Sequence, residues 1–133
     1  MIDTPINDHH FAQRIASGSL SGSKCGDCGK LFVPPRPVCE CGSTQLDWEE
    51  VSGNGKLVAF TCIAIGPPSM NEYGFDRDNP YVSAVIELTE GPRVVARLDG
   101  VDAQTPGSIQ IGLNVKVDFE ASRPDGGLVF RPM

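Results

Sequence analysis

Histidine is nearly missing from this chain. His9 and His10, side by side close to one end, are the only two in 133 residues, so neither reads as a positioned general base. No Gly-x-Gly-x-x-Gly, phosphate-loop, His-Glu-x-x-His or Gly-x-Ser-x-Gly pattern occurs either, which leaves little with which to build a self-sufficient enzyme. Basic residues are in deficit, 11 against 17 acidic for a formal charge of −6. That balance argues against a module whose affinity comes from neutralising phosphates along a nucleic acid. Long apolar runs are absent as well. The longest, Leu57 to Ile65, is broken by Thr61 and is too short to span a bilayer. Met1 to Gly22 carries no apolar stretch behind basic residues, so no secretory signal is expected and the protein is expected to be cytoplasmic, without a membrane partner. At this length the chain suits one ordinary domain, or a small one beside a mini-domain held by something other than a hydrophobic core.

What the sequence does have is five cysteines, four of them close together. In a reducing compartment that grouping points to a metal site rather than a disulfide framework. Cys25-Gly-Asp-Cys28-Gly is followed, after ten intervening residues, by Cys39-Glu-Cys41-Gly. Two such knuckles can bring four thiolates onto one tetrahedral ion. Gly29 and Gly42 stand directly after each knuckle, where a positive φ turns the backbone and aims amides at sulfur. The expected metal ligands are Cys25, Cys28, Cys39 and Cys41, holding a structural zinc with no position left for water. The second knuckle is the tighter of the two, with one spacer residue instead of two. Cys62 stands alone in an apparent strand and reads as a small buried hydrophobe.

Along the chain three regions appear: an N-terminal helical segment (1–23), a zinc ribbon (24–50) and a barrel (51–133). Asp8 to Ala16 places Phe11, Ala12 and Ile15 on one face, with Asn7 or Asp8 available as N-cap and Gly18 as terminator. Pro34, Pro35 and Pro37 exclude a helix between the knuckles. Beyond Val51 the pattern has period two. Val58, Phe60, Cys62 and Ala64 form one predicted face, and Val82, Ala84, Ile86 and Leu88 another. Thr89 to Pro92 is a predicted turn into Val94, Ala96 and Leu98. Asp102 to Ile111 reads as a short helical or irregular crossing. Val115, Val117, Phe119 and Ala121 then alternate with polar residues, and Asp125-Gly126-Gly127 turns into Leu128 to Arg131. Five short strands with one longer crossing predict a small closed barrel of the OB type, in a mainly β chain.

Local charge departs from the net charge. Between Arg14 and Arg36 the bases Arg14, Lys24, Lys30 and Arg36 face Asp27 alone, a modest anion-binding patch. The stretch Gly66 to Pro80, with Pro67, Pro68, Met70, Tyr73, Phe75 and Arg77, is long for a strand connection and rich in groups that contact ligands or partners.

The order of these pieces, Gly18-Ser-Leu20, Cys25-x-x-Cys28-Gly, Pro34-Pro-Arg36-Pro-x-Cys39, Cys41-Gly-Ser43, Trp48, Val51-Ser-Gly-x-Gly55, Pro80-Tyr81-Val82 and Glu90-Gly-Pro92-Arg93, resembles the zinc-ribbon plus OB-fold proteins associated with acyl-CoA enzymes. The likeness covers nearly the whole chain, and Cys39-Glu40-Cys41 departs from that family's usual Cys-Pro-x-Cys. The resemblance implies a rubredoxin-like ribbon and a noncatalytic accessory subunit. Its partner would be a thiolase-like or lipid-transfer-type aldolase subunit, with a coenzyme A thioester as shared substrate and zinc as a structural cofactor. One member of the family serves benzoylsuccinyl-CoA thiolysis in anaerobic toluene degradation. On this reading Lys24, Lys30 and Arg36, with Tyr73, Phe75 and Arg77, are the candidate contacts to the nucleotide end of CoA. The competing readings are an OB-fold/zinc-ribbon nucleic-acid-binding module and an iron-carrying electron carrier of the rubredoxin kind.

Overall fold

The computed structural model describes residues 6–65, 74–75, 77–122 and 128–133. Tyr73, the Pro67, Pro68 and Met70 positions and the Asp125-Gly126-Gly127 turn lie outside the described residues. Among the described residues the chain is mainly β, with one α-helix, near its N-terminal end.

Helix α1 spans Asp8–Ala16. The Asn7 side chain accepts the His10 backbone N–H at 2.9 Å, satisfying one of the amides that have no partner inside the helix. Phe11, Ala12 and Ile15 are buried, as their spacing predicts.

Three strands follow, β1 (Ser21–Cys25), β2 (Leu31–Phe32) and β3 (Leu46–Glu50), in an antiparallel sheet ordered β2-β1-β3. The proline-rich stretch folds back against β1, with the Val33–Pro34 peptide cis. Buried Ser23 secures it: its hydroxyl donates to the Arg36 carbonyl at 2.9 Å and accepts the Arg36 N–H at 2.7 Å. A buried hydroxyl without such partners would be costly.

The remaining strands, β4 (Asn54–Ile63), β5 (Tyr81–Leu88), β6 (Arg93–Leu98), β7 (Asn114–Val117) and β8 (Val129–Pro132), close a barrel in the order β4-β5-β6-β8-β7. All neighbours are antiparallel except β6 and β8. A 3-10 turn at Pro106–Ser108 lies in the crossing between β6 and β7. This is the five-stranded OB architecture. On β5 and β6 the predicted inward residues Val82, Ala84, Ile86, Leu88, Val94, Ala96 and Leu98 are all buried.

Two details differ from the sequence expectation. On β4 the register shifts between Leu57 and Ala59, where Leu57 faces Ile86 and Ala59 faces Val85. Val58 is the extra residue of a bulge. Leu57 is therefore the fully buried residue, Phe60 and Cys62 pack on the core from beyond the bulge, and Val58 and Ala64 do not join that face. Strand β7 stops at Val117 instead of running to Ala121. The Asp118 carboxylate accepts the backbone N–H groups of Glu120 and Ala121, both at 3.1 Å, and so turns the chain out of the ladder.

One hydrophobic cluster joins the barrel interior to the helix and ribbon. Leu57, Ile86, Val115 and Phe130 share it with Phe11, Ile15, Leu20, Val33 and Val51. Above it the Arg14 guanidinium lies 4.3 Å from the centre of the Trp48 ring. A second, smaller cluster of Cys25, Phe32, Cys39 and Leu46 surrounds the knuckles.

Candidate metal centre

Strand β1 delivers Cys25 to its end, and the chain turns back at once. The Gly29 N–H bonds the Cys25 carbonyl at 2.9 Å and the Cys25 N–H bonds the Lys30 carbonyl at 2.9 Å, so the first knuckle is a closed hairpin loop. The second closes in the same way, with the Cys39 N–H on the Ser43 carbonyl and the Gly42 N–H on the Cys39 carbonyl, each at 2.9 Å. Gly29 and Gly42 take φ of 79° and 90°. A Cβ at either position would meet open space, so the requirement is conformational and not steric.

The two loops bring four sulfurs together. The Sγ atoms of Cys25, Cys28, Cys39 and Cys41 all lie within 4.8 Å of one another. Cys28 and Cys39 are 3.4 Å apart, and Cys25 and Cys41 3.7 Å. Tetrahedral zinc with Zn–S bonds of about 2.3 Å needs sulfurs about 3.8 Å apart, so the cluster fits that ion. Cys25 and Cys39 are buried, and Cys28 and Cys41 are exposed.

The electrostatics of the cluster point the same way. The Cys28 amide, 3.4 Å from the Cys25 sulfur, is the main influence holding the Cys25 thiol down to about 6 against the opposing cost of burial. The Lys30 amide favours the Cys28 thiolate, but the neighbouring Cys39 sulfur, burial and the other two thiols outweigh it and push Cys28 up to about 12. Like charges on sulfurs this close repel, and a cation among them removes that cost. Zinc would supply the charge and displace the protons, and its four positions would be filled by the protein.

The candidate CoA contacts fall into two groups. Lys24, Lys30 and Arg36 are exposed on the ribbon, and each meets a carboxylate. Lys24 is 3.6 Å from Glu49, Lys30 2.6 Å from Glu40, and Arg36 3.9 Å from Glu40. Phe32 lies beneath two of them, its ring centre 5.4 Å from Lys30 Nζ and 5.2 Å from the Arg36 guanidinium. The local count of Asp27 alone missed Glu40 and Glu49. Antiparallel pairing of β1 with β3 brings Glu49 alongside, and the sulfur cluster brings in Glu40. Their signal in the sequence was position: Glu40 stands between two candidate ligands, and Glu49 follows the only tryptophan.

Phe75 belongs to the barrel side. It packs against Tyr81 at 5.4 Å and beneath the Arg97 guanidinium at 4.8 Å. It helps line a cavity of about 210 Å³ with Leu98, Asp99, Asp102 and Gln104. Arg97 is itself held by Asp99 through two hydrogen bonds of 3.0 and 3.2 Å. Arg77 is exposed. His10 is absorbed by the helix cap, its Nδ1 2.8 Å from the Asn7 side chain. Cys62 packs at the edge of the barrel core opposite Val82.

A four-cysteine ribbon running directly into a five-stranded barrel defines a zinc-ribbon/OB-fold protein. Comparison with protein families agrees in both parts. Residues 12–47 match the ChsH2 rubredoxin-like zinc ribbon domain and residues 48–120 the ChsH2 C-terminal OB-fold domain. The chain belongs to this ChsH2, or DUF35, family. A DUF35 domain-containing scaffold protein of Methanocaldococcus jannaschii is 31% identical, covering 93% of this chain and 86% of its own. Benzoylsuccinyl-CoA thiolase subunit BbsA of Geobacter metallireducens is 31% identical over a shorter span, 61% of this chain and 51% of that protein. Among solved structures, a chain of the Ltp2-ChsH2(DUF35) aldolase superposes with a TM-score of 0.75 at 32% identity, covering 99% of this chain and 98% of that one. Among the described residues, no helix is long and apolar enough to cross a membrane.

Proposed function

We propose that this protein is a noncatalytic accessory subunit in the cytoplasm. It binds a thiolase-like or lipid-transfer-type aldolase subunit and helps place an acyl-CoA thioester in that partner's site. The observation that carries this reading is the superposition over 99% of the chain, at 32% identity, on a chain of the Ltp2-ChsH2(DUF35) aldolase. The donor set of the ribbon is consistent with it, since a zinc held by four cysteines organises structure and activates no water.

Within that role, Lys24, Lys30 and Arg36 are the candidate contacts to the phosphates of CoA, and Phe75, Arg77 and Tyr73 the candidate contacts from the barrel. The ribbon cations would exchange Glu40 and Glu49 for phosphate when the nucleotide binds. Fixing the nucleotide end lowers the entropic cost of placing the thioester, and a second subunit over the channel excludes water. A narrower reading, service to a benzoylsuccinyl-CoA thiolase in toluene breakdown, is supported by the likeness to BbsA.

Affinity purification of the tagged chain from its native cells, at moderate salt, tests the reading. Recovery of a thiolase-superfamily subunit in stoichiometric amount is expected, and its substrate identifies the acyl group. Recovery of nucleic acid, or of no partner, would overturn it. With the complex in hand, Arg36→Glu is expected to raise the KM for the CoA thioester more than it weakens assembly.

A further inference from the structure

The two metal knuckles are built as reciprocal partners. Each places a carboxylate between its cysteines: Asp27 between Cys25 and Cys28, and Glu40 between Cys39 and Cys41. Each carboxylate reaches across to the other knuckle, to the residue two places beyond its last cysteine. The Ser43 hydroxyl donates to Asp27 Oδ2 at 2.5 Å, and the Lys30 ammonium donates to Glu40 Oε2 at 2.6 Å. Neither contact involves sulfur. Both ends are tied further into the loops. Ser43 Oγ accepts the Gln45 N–H at 3.0 Å, the Gln45 carbonyl accepts the Gly26 N–H at 2.7 Å, and Arg36 approaches the second Glu40 oxygen at 3.9 Å.

From this crossed arrangement we propose that Asp27–Ser43 and Glu40–Lys30 form a clamp that holds the two knuckles together and slows metal loss from the ribbon. The reason lies in the tighter loop. With one spacer residue, Cys39 and Cys41 form a short chelate, and the link from there to the first knuckle is a ten-residue span containing Pro34, Pro35 and Pro37. A competing chelator needs one knuckle to swing away from the metal, and the exposed ligands Cys28 and Cys41 are where it would enter. Both clamp contacts break in that same motion, so they oppose it directly and pre-organise the four sulfurs. Asp27, Ser43, Glu40 and Lys30 act as positioning residues for the four sulfurs in the chain free of CoA, and the Asp27–Ser43 arm stays in place when a CoA phosphate draws Lys30 from Glu40.

The test uses the full chain loaded with zinc and follows transfer of the metal to excess 4-(2-pyridylazo)resorcinol at fixed pH. Ser43→Ala and Lys30→Gln are each expected to speed zinc loss by about two- to five-fold, the range of an exposed pair, and together by about ten-fold. Lys30→Arg, which keeps the charge and a donor, is expected to stay within about two-fold of the parent rate. One molar salt should accelerate loss from the parent more than from Lys30→Gln, which keeps at Glu40 only the longer Arg36–Glu40 pair, because an exposed ion pair is screened. The cobalt-substituted variants should keep the parent's visible absorption, since the four sulfurs are unchanged. A folded double variant that loses zinc within about two-fold of the parent rate would overturn the clamp. Should the double variant fail to fold, the parent decides: zinc loss insensitive to salt overturns the Glu40–Lys30 arm.

Discussion

Leu57 and Val58 are neighbours with the same period-two claim on the core, and the bulge in β4 decides between them. Leu57 is 0% exposed and packs into the barrel cluster, whereas Val58 is only partly buried and lies outside that cluster. Leu57→Ala removes three buried carbons, worth about 2.4 kcal/mol at about 0.8 kcal/mol each. The cavity left against Ile86 and its neighbours adds to this, so a total of about 3–4 kcal/mol is expected. Val58→Ala removes two carbons already in partial contact with water, and about 0.5–1 kcal/mol is expected. For a chain of this length a kilocalorie moves Tm by about 3–6 °C. Leu57→Ala should therefore lower Tm by at least about 9 °C, and Val58→Ala by no more than about 6 °C. Thermal unfolding followed by circular dichroism, with urea titration to check that the slope is unchanged, measures both. Equal losses, or a larger loss for Val58→Ala, would refute the bulge and restore the face that simple alternation predicts.

Purified chain is expected to carry one zinc by elemental analysis, and Cys41→Ala to lower that content sharply while the far-UV signal of the barrel persists. Because zinc displaces thiol protons, its apparent affinity should fall as pH falls, which a chelator competition at several pH values reads directly. The Ala121 amide, followed by Arg131 at 2.7 Å, holds the Asp118 carboxyl below the usual carboxylate range. A carboxyl lowered in the folded state contributes stability above its unfolded value of about 3.9, and that contribution is lost as pH falls through the folded value. Asp118→Asn should accordingly cost about 1 kcal/mol at neutral pH and flatten the acid limb of the stability curve, as measured by denaturation across pH. Arg14→Met should cost about 0.5–1 kcal/mol and shift the emission of Trp48, the single tryptophan, since it removes the guanidinium stacked on that ring.

Much of the architecture was legible along the chain because it depends on local chemistry. The inward residues of β5 and β6 alternate without interruption, and a strand has only two faces to offer. The cysteine spacing announced the ribbon because few other arrangements serve four thiolates so close in sequence. Helix α1 was visible from three apolar positions and a cap at Asn7 or Asp8, between which the structure selects Asn7. The bulge at Val58 was not, since Val58, Phe60, Cys62 and Ala64 make an equally good alternation. Only pairing with β5 reveals that two residues of β4 oppose one of its neighbour. The stop after Val117 was hidden for a related reason, because Phe119 and Ala121 continue the period while Asp118 captures the amides that would have extended the ladder.

The candidate anion patch shows the same division. Lys24, Lys30 and Arg36 form a basic run when neighbours are counted along the chain, yet all three meet carboxylates in space. Ion pairs are set by distance, and strand pairing and the sulfur cluster create short distances between residues remote in sequence. The order of ribbon and barrel, the candidate ligand set and the period of the strands follow from residue type and spacing, which act over a few positions. The partners of the charges, the register of β4 and the crossed contacts between the knuckles follow from which segments the hydrophobic core and the four sulfurs draw together, and that is a property of the folded chain alone.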